Sequence, residues 1–437
     1  MIAFATLFLG LVLGPKQVDL VVEGDPSAVI LQLDGVEVGR KIEEPWSFEI
    51  DLGPQLEPHK LEALMVNDRG EVVERAIQWV NLPRSRAEVA FVLEGEDPKR
   101  PDTAHLLWQH IEFDLAESIQ LRFDGRDVAY DGLGTIRLPA YDPAELHVLE
   151  ADLNFPDGAH YLAELAFGSR LGFGAETDLT GLVLEMIGTR QPSIQDLEGW
   201  FQKDGQPMEV VGIERSPARM VIVVDETAKD SLRELATVTG GATAGRTGLR
   251  KGEEVLFLFP HARKTATADD GSKLFTLSQP FNASHGDLAW LLTRVSVPET
   301  TKNRRVTDAL AVAAIEAASG GRPRAVILVL GHEATDRSAY QVAEVRQFLQ
   351  DLRVPLFIWW TGRPSAVTVS EGRRPVRVDT DWGKATDISS FTRIEQAVAE
   401  LRDNLDRQST VWIQGSHLPH RIALTSKATK AGFAGQE

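Results

Sequence analysis

Apolar and polar residues alternate in two ways along this chain, and the change falls near residue 215. Before it, short runs alternate with a period of two between turn formers. Residues 30–38 read ILQLDGVEV and residues 120–128 read QLRFDGRDV. Each is a strand, an Asp-Gly turn (Asp34-Gly35, Asp124-Gly125) and a returning Val, which is a hairpin signal. Further on, His59-Lys60-Leu61-Glu62-Ala63 is matched by His147-Val148-Leu149-Glu150-Ala151 at nearly the same offset. Two ordered matches at one spacing predict two tandem β-sandwich modules, residues 17–93 and 94–170. Residues 171–217 carry strand patterns at Leu182–Ile187 and Pro207–Ile213 and a third Asp-Gly turn at Asp204-Gly205. They read as a β-hairpin lead-in to the second half of the chain.

After residue 215, strand and helix patterns alternate. Met220 to Val224 is a continuous apolar run that ends on Asp225. Such a run suits a strand buried on both faces of a parallel sheet. Helices are predicted at 230–238, 306–318, 338–352 and 394–405, and strands at 254–259, 325–330, 356–360 and 411–414. Gly240-Gly241 and Gly320-Gly321 close two of the helices. This alternation predicts an α/β doubly wound, mostly parallel sheet over residues 218–415. Residues 416–437 form a C-terminal tail, disordered from Ser426 onward. In such folds the loops after the strands, at the carboxyl edge of the sheet, carry the ligand sites.

Composition narrows the partners. The net charge is −18, which argues against nucleic acid or an anionic membrane surface, since both need a basic face. Cys is absent, so disulfides and thiolate metal sites are excluded. The first half has the length of immunoglobulin-like modules without their inter-sheet disulfide. Residues 1–14, MIAFATLFLGLVLG, are apolar and too short to span a bilayer. They read as a signal segment, 1–16, with small Gly14 at the cleavage position and an exported, periplasmic or cell-surface protein as the consequence. No Lys or Arg precedes Lys16, so a buried first strand in a cytoplasmic protein is the alternative.

The segments VIVVDETAK, RVTDALAVAAIEAA and AVILVLGHEATDRS, followed by a helix and VPLFIWW, resemble a von Willebrand factor A domain, which is Rossmann-like, over about residues 215–410. The arrangement as a whole resembles bacterial von Willebrand factor A-related envelope proteins, in which immunoglobulin-like modules precede the A domain. The resemblance implies a protein-binding, adhesion-type function. It also implies a metal-ion-dependent adhesion site, in which Asp-x-Ser-x-Ser, a Thr and a second Asp hold Mg²⁺ with oxygen ligands. Here Asp225 matches the first Asp and Thr227 supplies a hydroxyl. Lys229 stands at the third position and has no acceptor atom. Arg304 falls at the family Thr, with Thr300, Thr301 and Thr307 nearby, and Leu330 stands where the second Asp belongs. A guanidinium or ammonium near Asp225 takes the cation's place electrostatically, so no metal or other cofactor is expected. Alternatively, Lys229 and Arg304 face water and Asp225 caps the helix near Asp230. Mg²⁺ at Asp225 and Thr227 requires a rebuilt loop.

Other chemistry is sparse. The ten His show no metal-ligand spacing, and neither a nucleophile elbow nor a phosphate-binding loop is present. His332 and Glu333 at the carboxyl edge suit a general acid/base pair of a hydrolytic enzyme, or are surface loop residues. Trp359 and Trp360 point to opposite faces of their strand. Trp360 then lines the binding face, or both rings lie under helices. The reading with most support is a non-catalytic protein whose A-like domain binds an unidentified protein partner. Its contact residues would be Asp225, Thr227, Lys229, Arg304, His332, Glu333 and Trp360. Metal-dependent adhesion and the hydrolase are the alternatives.

Overall fold

The computed structural model describes residues 2–8, 10–22, 24, 26–83, 87–94, 100–110, 115–131, 134–143, 146–155, 160–168, 179–186, 192, 194–238, 248–261, 275–296, 304–319, 321–332, 336–362, 378–431 and 433–434. Two compact units emerge: residues 1–83 with 179–437, and residues 84–178.

The first unit opens with a sandwich of two antiparallel sheets. Its strands are β1 (Ile2–Phe4), β2 (Pro15–Val22), β3 (Ala28–Leu33), β4 (Val36–Lys41), β5 (Ser47–Asp51), β6 (His59–Val66) and β7 (Val72–Val80). They are ordered β1-β2-β5 in one sheet and β4-β3-β6-β7 in the other. Alternate apolar residues, among them Val18, Val29, Leu31, Phe48, Leu61 and Ala63, fill the space between. The N-terminal segment belongs to this sandwich. β1 pairs with β2, and Phe8 and Val12 are buried. The Phe8 and Val12 N–H groups donate to the side chains of buried Gln78 and Asn81, each at 2.8 Å. The described part of residues 1–16, expected as a signal segment, packs into this sandwich in the way its alternative, a buried first strand, would. Without them the buried Gln78 side chain would lose its bonds to Phe8 and Thr6, and Asn81 would keep only its bond to Glu57 O.

The second unit has strands β8 (Ala87–Glu94), β9 (Thr103–His110), β10 (Ser118–Phe123), β11 (Arg126–Asp127), β12 (Thr135–Arg137), β13 (Leu146–Asn154) and β14 (His160–Gly168). Its sheets are β12-β9-β8 and β11-β10-β13-β14. The repeat seen in the sequence extends to side chains. Asp34 and Asp124 adopt positive φ (54° and 49°) in two-residue turns, where a short polar side chain is tolerated. Asp34 accepts from His59 Nδ1 (2.9 Å) and Lys60 N–H (2.8 Å). Asp124 accepts from His147 Nδ1 (2.7 Å) and Val148 N–H (2.9 Å). In each case burial pushes the carboxyl up, but the imidazole and amide donors bring it below its ordinary value.

Residues 179–217 are more than a lead-in. β15 (Leu179–Met186), β16 (Phe201–Lys203), β17 (Gln206–Pro207) and β18 (Val210–Glu214) join three strands from the end of the chain, β26 (Gln408–Gln414), β27 (Ala423–Leu424) and β28 (Phe433–Ala434). They make the sheets β18-β26-β15-β28 and β17-β16-β27. Leu182, Leu184, Trp200, Phe201, Val411, Ile413, Ile422 and Ala428 form the core between them. The strand expected to end the parallel sheet therefore belongs to a separate antiparallel sheet. The stretch from Ser426 onward, expected to be disordered, contains helix α6 (Ser426–Lys430) and β28, and Ala428 in it is 0% exposed.

Residues 219–407 hold the doubly wound sheet. Its strands are β19 (Arg219–Val224), β20 (Glu254–Phe259), β21 (Thr276–Leu277), β22 (Arg324–Leu330), β23 (Leu356–Trp360), β24 (Val378–Thr380) and β25 (Gly383–Asp387). The order is β21-β20-β19-β22-β23-β25-β24, with β20, β19, β22, β23 and β25 parallel. The helices are α1 (Lys229–Val238), α2 (Leu288–Arg294), α3 (Val306–Ala318), α4 (Val342–Asp351) and α5 (Phe391–Arg407). Side chains alternate between two layers. Val221, Val223, Leu256, Leu258, Val326, Leu328 and Ile358 pack with α3 and α4. Met220, Ile222, Val224, Val255, Phe257, Ile327, Val329 and Trp359 pack with α1, α2 and α5. Apolar faces on both sides explain the continuous runs in β19 and β22. Order reverses between β19 and β22, whose carboxyl ends are therefore the switch point where such sheets bind ligands.

Candidate functional site

The switch point is built from three loops. β19 ends on Asp225, which is 0% exposed. Its carboxylate caps a short 3-10 turn, Glu226–Ala228, which runs into α1. Thr227 donates to Asp225 Oδ2 through Oγ1 (2.5 Å) and through its N–H (3.4 Å). After β22, Gly331 N–H donates back to Thr227 Oγ1 (3.0 Å). The two loops touch closely. A Cβ at residue 331 would stand 1.7 Å from Thr227 O, and one at Gly362, after β23, 2.1 Å from Gly331 O. Both neighbours are backbone, so only Gly serves there.

Arg304 enters from the segment before α3 and fills what remains. Its Nε donates to Asp225 Oδ1 at 2.7 Å and its Nη2 to Oδ2 at 3.0 Å, a bidentate pair that is buried on both sides. Such a fork gives both geometry and charge balance. A divalent cation does not fit this arrangement. Both oxygens of Asp225 are engaged, and a fixed cation already stands there. The second acidic position is Leu330, and Gly331 after it is closed against backbone. Among the described residues no group of three or more His, Asp or Glu is placed to hold a metal.

The acid that the rebuilt-site alternative needs has another use. Asp336 accepts from Val306 N–H and Thr307 N–H (3.0 Å each) and from Thr307 Oγ1 (2.7 Å). It therefore caps the start of α3 from outside the helix, where the dipole favours negative charge. Burial pushes its carboxyl up, but the Thr307, Ser338 and Val306 donors together hold it below the ordinary range. Thr307 is thereby committed as well, and Thr300 and Thr301 lie outside the described residues. Asp308, one residue on, is buried and pushed up by burial against the N–H groups of Tyr340 and Ala339.

The remaining sequence candidates divide. Lys229 opens α1, is half-buried, and makes no ion pair with Asp225. His332 is exposed beside Gly331, and Glu333 lies outside the described residues. Trp359 is 1% exposed under α1, α2 and α5. Trp360 points to the opposite layer and is half-buried, with its Nε1 covered and unpartnered. The structure thus joins Asp225, Thr227 and Arg304, leaves Lys229 and His332 at the rim, and covers most of Trp360.

Two members of the site carry no signal in the sequence beyond position. His261, just after β20, is 5% exposed, and neither ring nitrogen has a hydrogen-bond partner. Burial pushes it down, Glu226 and Asp225 pull it up, and Arg304 pushes it down again. Glu226 Oε2 is also covered without a partner. Each residue lies just past an apolar strand that ends at the same edge.

No family model and no curated protein matches this chain. Solved structures with fibronectin III-like β-sandwich modules are similar to it. The Clostridium thermocellum CbhA fibronectin(III)-like modules share 12% identity over 40% of this chain and 99% of theirs, with a TM-score of 0.17. The central fibronectin-III array of RIM-binding protein shares 12% over 48% and 78%, with a TM-score of 0.21. A 1.5-MDa bacterial ice-binding adhesin shares 12% over 48% and 82%, with a TM-score of 0.16. These likenesses concern β-sandwich modules and carry no functional argument.

Proposed function

We propose that this chain is a non-catalytic, adhesion-type binding protein, related to the von Willebrand factor A class, that receives a protein partner at the carboxyl edge without metal. The buried Arg304–Asp225 pair supports the reading best. It stands where the family's resemblance puts the cation, and it balances the same carboxylate from within the chain. The switch-point crevice is closed by Thr227 and Gly331, so the partner meets the rim, where Lys229 and His332 reach solvent to different degrees. Trp360 contributes an apolar shoulder. Asp225, Thr227 and Arg304 then position the rim rather than touch the partner. Envelope location rests on the resemblance. Among the described residues no helix is long and apolar enough to cross a membrane.

The test uses the full chain as immobilised bait against an extract of its own cells, in Mg²⁺ and in EDTA, beside Asp225→Ala and a Lys229→Glu/His332→Glu rim variant. The reading expects one partner to be recovered equally with and without Mg²⁺ and lost in the rim variant. Recovery that needs Mg²⁺ and disappears with Asp225→Ala would instead establish cation-bridged adhesion. Hydrolysis needs His332 to act with Glu333, which lies outside the described residues.

A further inference from the structure

Three arginine side chains are buried among the described residues: Arg304, Arg324 and Arg402. Two of them face carboxylates, Arg304 with Asp225 and Arg402 with Glu253. Arg324 does not. It stands at the amino end of β22, opposite to the switch-point edge. Its Nη1 donates to Ala318 O (3.0 Å) and its Nε to Arg353 O (3.3 Å). Carbonyl dipoles solvate a guanidinium but do not cancel its charge.

The backbone that Arg324 touches belongs to a second uncompensated cation. Arg353 follows α4 with φ 53°. Its Nη2 donates to Ile422 O (3.0 Å), and its Nε is covered and has no partner. The segment it reaches, Leu418 to Ile422, carries His420 and Arg421. His420 Nδ1 is likewise covered and unpartnered, and Arg421 is exposed. None of these three guanidinium groups forms an ion pair among the described residues. Asp34 acts on His420 electrostatically, but His59 and Lys60 N–H already hold its two oxygens.

The titration of the cluster agrees with an excess of positive charge. Burial and the Arg353 charge push Arg324 down to about 9, and burial pushes Arg353 down to about 10. Burial and Arg421 push His420 down to about 4. At neutral pH both arginines stay cationic and His420 is neutral, with one ring N–H to donate. In a chain of net charge −18 acids are abundant, yet among the described residues none forms an ion pair with these groups, and Asp34, which acts on both Arg421 and His420, is already held by His59 and Lys60. Buried charges are ordinarily paired.

We propose that Arg353, His420 and Arg421, backed by Arg324, form a site for one oxyanion of the phosphate type. Guanidinium and imidazole N–H groups converging on one segment are the donors that such an anion takes. Both Arg353 Nε and His420 Nδ1 are covered, so the anion would give them their missing acceptor once the 418–422 segment opens to admit it, and exposed Arg421 would close over it. The site is independent of events at the carboxyl edge.

The experiment compares inorganic phosphate with potassium chloride at equal ionic strength on the full-length protein, by titration calorimetry and by the thermal unfolding midpoint. A ligand that binds the folded state raises the midpoint in a saturable way. Phosphate is expected to bind saturably and raise the midpoint, whereas chloride does neither. Arg421→Ala, at an exposed position, should weaken phosphate binding at least tenfold, and His420→Ala should do so in a second, independent variant. No saturable phosphate binding, an equal effect of chloride, or unchanged affinity in both variants would overturn the proposal.

Discussion

Replacing Arg304 by Met tests the central pair most directly. The substitution keeps the aliphatic stem and removes the guanidinium that makes bonds of 2.7 and 3.0 Å to Asp225. Asp225 is 0% exposed, and of its side-chain donors only Thr227 remains. Leaving one member of a buried pair uncompensated costs about 3–5 kcal/mol. Asp225→Asn removes the carboxylate that Arg304 faces, so a loss in the same direction is expected. The double variant Asp225→Asn/Arg304→Met leaves no buried charge, so it should lose less than the sum of the single variants. A coupling of about 2 kcal/mol or more is expected. Urea unfolding followed by tryptophan fluorescence reads all four proteins. Additive single effects, or a loss below about 1 kcal/mol for Arg304→Met, would show that the pair is solvated and that the cation-replacement argument fails. The same variant gives a second readout. With its cation removed, Asp225 should still bind no Mg²⁺ in calorimetry, because neither Leu330 nor Gly331 supplies a second carboxylate.

Gly331→Ala should destabilise the α/β layer by at least about 3 kcal/mol in the same unfolding assay, since the new methyl group would stand 1.7 Å from Thr227 backbone and one of the two loops must shift. Asp336→Ala should cost about 1–2 kcal/mol through the lost cap of α3 while leaving calorimetric Mg²⁺ behaviour unchanged; an altered Mg²⁺ response would assign Asp336 to a metal site. His420, at about 4 in the folded chain against an ordinary value of 6.5, should make stability fall as pH drops from about 6.5 to 4. In that window the unfolded chain takes up the proton first. Partial exposure limits the loss to roughly 1–2 kcal/mol, and it should be absent from His420→Ala.

The sequence shows most of what depends on local pattern. The buried strands β19, β20, β22 and β23 read directly from their apolar runs, and α3 and α5 from their periodic faces. The Asp-Gly turns and the matched His residues disclose the two sandwiches, and the Asp–His hydrogen bond inside each joins those same residues. Elements without a pattern stay hidden. α2 has only seven residues, LAWLLTR, too few to show a period. β25 reads GKATD and owes its place to pairing with β23. β26 looks like one more parallel strand, because nothing in STVWIQ tells which sheet will claim it. At the site, the mismatches with the adhesion motif point to Arg304 as the internal cation. The roles of Asp336, His261 and Glu226 depend on which loops meet in space, and spacing along the chain carries no such information. The N-terminal segment shows the same limit. An apolar run without basic flanks suits a signal or a strand, and its packing against buried Gln78 and Asn81 is not written in its own residues.

The pairing of β18 with β26 has one more consequence. These strands are antiparallel neighbours, with Glu214 opposite Thr410, so they form in effect a hairpin whose loop is the whole of residues 219–407. The α/β layer is an insertion between two adjacent strands of a small β unit, leaving and returning at one place. Closing so long a loop costs only slightly more entropy than closing a short one. A fragment that ends at residue 407 would keep the insert and leave β15 and β18 as open edges, prone to pair with other chains. The natural cut for a separable α/β layer therefore lies just inside both strands, at residues 216–218 and 406–407, rather than at either end of the chain.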